Sequence, residues 1–252
     1  MTGTLAPSAR ATPYVVGETA RVLRNTQYLV FSVGMPLVLY LVFSTTDDGS
    51  TLDGLRQAPY IMVSMATFGA MGGVLSTAGR IASERSTGWH RQLRLTALTG
   101  RQYVAAKAAS GFAVAVPSLV VVFTAAALVS DVRLPALRWL LLGGSVLLAL
   151  RPLCALGIWL GFLAPGENVQ AVSGGLVSML ALLGGLWLPL PLFPGWVQAV
   201  GELLPVAWVA EAGRSAVRGD LLGLHGTAVL ATWTVVLVAL AARAHGRDAA
   251  RA

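Results

Sequence analysis

Charge is scarce in this sequence. Asp, Glu, Lys and Arg make up 12% of its 252 residues, about half the share that solvates an ordinary soluble domain. Hydrophobic residues make up 56% and the mean hydropathy is +0.71, so a soluble fold is excluded and the chain reads as an integral membrane protein. Cysteine is confined to Cys154, inside an apolar run, so no disulfide can form within the chain and redox compartment goes unreported. Histidine is confined to His90, His225 and His245, none with a partner at metal-ligand spacing, so no metal is indicated. Lysine is confined to Lys107, preceded by Tyr103, Val104, Ala105 and Ala106 rather than by a glycine-rich loop. The chain therefore has no P-loop to cradle ATP phosphates, and no local motif suggests a Ser, His and Asp set. The net charge of +7 is no nucleic-acid footprint, because the arginines sit at the ends of apolar runs instead of on one soluble face.

What is present is a series of six apolar runs, each near the roughly 20 residues that a helix needs to cross the hydrocarbon core. They are Tyr28 to Ser44, Ala58 to Gly79, Ala108 to Ser130, Trp139 to Ala164, Val169 to Phe193 and Leu224 to Ala242. An even number of crossings returns both termini to one side, and the cations say which side. The polar segment from Arg80 to Lys107 holds Arg80, Arg85, Arg91, Arg94, Arg101 and Lys107 against Glu84 alone. With Arg10, Arg21, Arg24, Arg243, Arg247 and Arg251 that side carries twelve cations, against five on the other, Arg56, Arg133, Arg138, Arg214 and Arg218. Positive charge stays inside, so the pattern predicts cytoplasmic N- and C-termini and a cytoplasmic loop over 80–107. The connections over 131–138 and 165–168 are short, which makes the third to fifth helices antiparallel neighbours. No second domain and no solenoid repeat is visible.

The first two dozen residues lack a small-residue cleavage site after an apolar core, so a cleaved signal peptide is not expected. Thr12 and Pro13 suit a helix start. Val15, Val16, Thr19, Val22 and Leu23 then fall on one face, with Glu18, Arg21 and Arg24 on the other. That spacing predicts an amphipathic helix in the membrane interface, its charges toward headgroups; a solvated extension is the plainer alternative. Gly69 and Gly73, and Gly157 and Gly161, have the four-residue spacing that lets helix backbones approach closely in lipid, and packing within one chain is the expected use.

Two places break the oily pattern. Arg151 lies deep in the fourth run beside Pro152; an arginine at that depth must face a cavity, a partner or freed backbone carbonyls. It either attracts an anionic group along a substrate path or pins a broken helix, and both readings stand. The segment from Gly184 to Arg214 packs Pro189, Pro191, Pro194 and Pro205 among Trp187, Trp196 and Trp208. Prolines at that density end a transmembrane helix and tryptophans favour the interface. A helix that stops within the outer leaflet is expected, followed by short amphipathic pieces capping the outer face over 194–222.

Taken together, Glu84 to Lys107, Leu156 to Gly174 and Gly185 to Trp208 resemble, over nearly the whole chain, the membrane subunit of type-2 ABC transporters, the permease family of bacterial drug and polysaccharide exporters. Two departures are Ala97, where family loops often place proline, and Arg151 itself. The resemblance implies an all-α membrane protein, a single permease domain over 1–252 with an interfacial N-terminus (1–27), six transmembrane helices, a coupling loop (80–107) and a broken outer hairpin after the fifth helix. It implies partners: an ABC ATPase subunit in two copies, a second permease subunit as homo- or heterodimer, and the lipids of the bacterial cytoplasmic membrane. Cofactors, ATP and Mg, would sit on the ATPase, leaving this chain a transporter subunit without bond chemistry. Glu84, Arg85, Gly88, Trp89, Arg91, Leu93 and Arg94 would couple to it, an aromatic anchor in a charged rim. Arg151 and Pro152 would line a substrate path, and Pro189, Pro194, Trp196, Pro205 and Trp208 would build the outer hairpin. Export of a hydrophobic or amphiphilic compound, whether drug, antibiotic or lipid-like, is the expected function. A membrane enzyme acting on lipids would need polar residues converging at one depth, and an assembly protein would not need the outer hairpin.

Overall fold

The computed structural model describes residues 15–22, 24–25, 30–45, 51–87, 100–163 and 169–251. A short helix, α1 (15–22), comes first. A π-turn over Val30–Gly34 runs into α2 (Met35–Ser44), and a two-residue hairpin follows, β1 (Thr51–Leu52) against β2 (Leu55–Arg56). Its turn places Asp53 and Gly54 at positive φ, the pattern that two-residue hairpins demand. Then come α3 (Gln57–Leu75), α4 (Thr77–Ser86), α5 (Gly100–Val129), α6 (Ala136–Ala149), α7 (Arg151–Leu163), α8 (Val169–Leu183), α9 (Gly195–Leu203), α10 (Pro205–Arg218) and α11 (Leu224–Arg251). The described chain is thus helical apart from one small hairpin.

Four helical stretches are long and apolar enough to cross a membrane: 57–86, 102–129, 136–163 and 224–247. The first and fifth predicted runs correspond to shorter apolar helices, Ser32–Ser44 and Val169–Leu183. The fifth helix stops ten residues before Phe193, where Gly185 turns to a positive φ and the Leu186 N–H closes back on the Ala181 carbonyl, as at a glycine-capped helix end. The fourth run is two helices end to end. The break falls at Leu150, next to Pro152, whose missing N–H strips the Leu148 carbonyl of its helical donor.

Burial is uneven, and that decides what each helix does. The α3–α4 stretch is the axis, with 83% of its most apolar window buried, whereas only 33% of α5 and 22% of α11 are covered. Around the axis lie α2, α5, α7, α8 and α10, while α11 packs along α7. Both glycine pairs serve contacts inside this chain. A Cβ on Gly73 would stand 2.8 Å from the Ala115 Cα of α5, and one on Gly161 would stand 2.9 Å from the Ala78 carbonyl of α4. Small residues therefore set two of the close approaches of the bundle.

The proline-rich segment does not lie across the end of the bundle as a cap. α9 runs back until Gly201 meets the Leu183 carbonyl at the end of α8, and α10 starts there, with Val206 against Gly184. Trp187 meets Phe68 edge-on at 5.5 Å, eleven residues into α3 and so roughly 16 Å along it. From that depth α10 returns beside α3 and α6 until Arg214 reaches Tyr60 and Arg218 reaches Asp53. Val206, Val209, Ala210, Gly213 and Val217 are buried at helical spacing, which is why α10 enters the interior.

Candidate functional site

Three features of the described residues join polar groups to the apolar frame. The first is a buried knot of charge where the basic segment leaves and rejoins the bundle. Lys107 is fully buried; its Nζ donates to Glu18 Oε1 at 2.7 Å and to Glu84 Oε1 at 2.6 Å. The Tyr103 hydroxyl donates to Glu84 Oε2 at 2.6 Å, and Arg80 Nε stands 3.5 Å from Glu18 Oε1. Arg85 reaches across to α7, where its Nη1 donates to the Gly161 carbonyl at 3.1 Å. One lysine therefore fastens α1, α4 and α5 together, and Arg85 adds α7.

This arrangement revises the sequence reading at two points. Glu18 is not turned to headgroups with Arg21; it is buried with Val15, Thr19 and Val22 near it in helical register, while Val16 is 61% exposed. The burial is possible because Lys107 and Arg80 compensate it. The basic segment is also shorter than 80–107, since Arg80 lies in α4 and Lys107 within α5. Both ends enter the bundle as helix with Glu18 and Glu84 as counter-charges to Arg80 and Lys107.

The proposed coupling residues divide accordingly. Glu84 and Arg85 point inward onto the bundle, whereas Gly88, Trp89, Arg91, Leu93 and Arg94 lie outside the described residues.

A second feature is a cavity of about 600 Å³ between α2, α3 and α8. Ser32, Ser76, Gln170 and Ser173 put hydroxyl and amide groups on its wall, and Met35, Phe68 and Val177 supply apolar surface. Gly72 faces it, and a Cβ added there would meet no atom within 4 Å, so the wall is open at that point. Such a mixture of apolar surface and sparse polar groups is what ligand cavities show. Arg151 and Pro152 do not line it: they stand at the α6–α7 break, beside α11.

The third feature is the far end of the re-entrant helix. Arg214 is buried, with its guanidinium carbon 3.9 Å from the Tyr60 ring centre, its Nη2 donating to Ser64 Oγ at 3.0 Å, and Glu211 at 3.7 Å. Arg218 pairs with Glu211, donates to the Asp53 carbonyl at 3.2 Å and lies 3.8 Å from the Asp220 carboxylate. Of the hairpin residues expected from sequence, Pro189 precedes the single 3₁₀ turn over Leu190–Leu192, Pro194 caps α9 and Pro205 opens α10. Trp208 donates to the Glu202 carbonyl at 2.6 Å and meets His225 edge-on at 5.1 Å, whereas Trp196 is 71% exposed.

Sequence reasoning missed Glu18, Tyr103 and Lys107 as partners of Glu84, and Arg214 as the buried cation of a separate cluster. The signal that could have found two of them is rarity: Lys107 is the one lysine in the chain, and Glu18 is the one carboxylate before residue 47. Rare charges next to apolar runs pair with each other.

The profile of the ABC-2 type transporter family matches residues 15–217. A relative from Bacillus subtilis (strain 168), bearing the name "Putative transport permease YvfS", is 30% identical over 227 residues, covering 90% of this chain and 89% of its own.

Proposed function

Since the chain belongs to the ABC-2 type transporter family and is a transport permease subunit embedded in a membrane, we propose that it exports a hydrophobic or amphiphilic compound, such as a drug, an antibiotic or a lipid-like molecule. Energy comes from ATP and Mg held by two copies of a separate ABC ATPase subunit. A second permease subunit, identical or related, completes the complex in the bacterial cytoplasmic membrane. Six crossings carry the chain, α2 and α8 supplying the two short ones, with both termini and the basic segment inside and α1 in the inner interface.

The observation that carries this reading is the Lys107 knot. Movement of the basic segment reaches α1, α4 and α5 through Glu18, Glu84 and Lys107, and reaches α7 through Arg85. Glu84 and Arg85 act as positioning residues in this mechanism: they hold the segment to the bundle, while Trp89, Leu93, Arg91 and Arg94 dock on the ATPase. The mixed wall of the cavity suits an amphiphilic cargo, whose polar part can pair with groups such as Ser32, Gln170 and Ser173 while its apolar part meets Met35, Phe68 and Val177, because each polar group left unpaired on entry disfavours binding.

The test is reconstitution of the complex with its ATPase. Trp89→Ala leaves insertion and assembly of the chain intact and abolishes stimulation of ATP hydrolysis by transported compound. Stimulation equal to that of the unaltered complex would refute the docking role.

A further inference from the structure

A pair of crevices lies apart from the α2–α3–α8 cavity and shares no lining residue with it. One, of about 580 Å³, has α7 as its floor and α5 and α11 as its walls; the other, of about 550 Å³, lies between α6, α10 and α11. They share two residues, Arg151 and Thr234, and so meet where the fourth span breaks. Thr227 and His245, both lining residues of the pair, are eighteen residues apart on α11, so together the crevices follow that helix for roughly 27 Å. Because α5 and α11 are the least covered spans, this groove opens toward lipid.

Its lining is mostly apolar, with Ser145, Thr227, Thr234 and His245 as the polar residues beside Arg151. Val104, Phe112, Ile158 and Val238 line the first crevice, Leu148 and Leu230 the second. Among the described residues, Arg151 is the only arginine or lysine that lines either, and its guanidinium has no hydrogen bond or ion pair there. Thr234 offers no negative charge, and its hydroxyl already donates to the Leu230 carbonyl at 2.6 Å. Leu163, the last residue of α7, lies twelve residues on, roughly 18 Å at helical rise, so the side chain cannot extend its head out of the hydrocarbon. A cation at that depth is tolerated only when something neutralises it.

We propose that this groove binds a membrane-resident, single-chain anionic amphiphile, with its acid group paired to Arg151 and its hydrocarbon along α11. Charge selects the head and the apolar walls select the tail. The crevices have the size of small-molecule pockets; a crossing helix from another protein, about 10 Å wide and 30 Å long, does not fit in them. Binding here requires only that the chain spans a membrane, and is independent of the export proposed above.

The experiment uses the purified full chain in an uncharged detergent, with oleate carrying a photoreactive group near its methyl end as the probe and the matching oleyl alcohol as the uncharged control. Saturable labelling by oleate, mapping to α5, α7 or α11, is the expected result. Arg151→Gln weakens oleate binding roughly ten-fold, the loss of a charge-assisted pair, and leaves the alcohol unchanged, whereas Arg151→Lys retains most of the affinity. Val238→Trp keeps the charge and fills the groove, and reduces labelling by at least a similar factor even if the glutamine variant fails to fold. Equal oleate binding by the unaltered chain and Arg151→Gln, labelling elsewhere, or full labelling of Val238→Trp would overturn the proposal.

Discussion

A single ammonium group that serves two carboxylates leaves no slack. Lys107 is fully buried between Glu18 and Glu84, so Lys107→Met leaves two poorly solvated carboxylates with only Arg80 near one and the Tyr103 hydroxyl on the other. Breaking a buried ionic set by removing one member costs about 3–5 kcal/mol, and thermal unfolding of the detergent-solubilised protein should fall by several degrees or more. Removing all the charge together, in Glu18→Gln, Glu84→Gln and Lys107→Met combined, should restore most of that loss, because apolar or neutral replacements of a whole ionic set are often tolerated. Recovery absent in the combined variant would mean that the knot acts through shape and not through charge. This pairing was not legible in the sequence. Glu18 and Lys107 are 89 residues apart, and helical periodicity ranks Glu18 with Arg21 on a polar face. Local pattern cannot show that a charge on the apolar side has its counter-charge waiting in another helix.

At the scale of elements, contrast between adjacent glycines separates packing from function. Gly73 meets the Ala115 backbone of α5, while Gly72 faces open space in the α2–α3–α8 cavity. Gly73→Leu should push α3 from α5 and destabilise the bundle by about 1–3 kcal/mol, as overpacking does. Gly72→Leu should leave thermal stability nearly unchanged and fill part of the cavity, lowering transport-stimulated ATP hydrolysis in the reconstituted complex. Matching stability losses in both variants would show that the cavity wall is itself tightly packed. The spans were largely legible from their apolar runs, and the two glycine pairs from their spacing. The path of α10 was not. Its prolines and tryptophans read as interfacial furniture, yet its valines and alanines at helical spacing carry it into the interior, and Arg214 goes with it because Tyr60 and Ser64 receive the guanidinium.

For the molecule as a whole, the uneven distribution of arginines makes a directional prediction. With Cys154 replaced by Ala, a cysteine placed at Leu221, 94% exposed, should react with a membrane-impermeant thiol reagent added to intact cells. A cysteine at Thr87, also exposed, should react only after the membrane is opened. The reverse pattern would invert the topology and remove the ATPase from reach of the basic segment. The all-helical, membrane-integral frame was legible from hydropathy along the chain, whereas the different neighbours of the two halves of the fourth span depend on contacts that no run of letters displays. On one side of Leu150, α6 is packed on α10; on the other, α7 is packed on α4 and α11. The two halves of the fourth span thus lean mainly on different neighbours and meet at Leu150. A tilt that begins among α4 and α7 can be taken up in part at that break, where the Leu148 carbonyl has no helical donor to hold it straight.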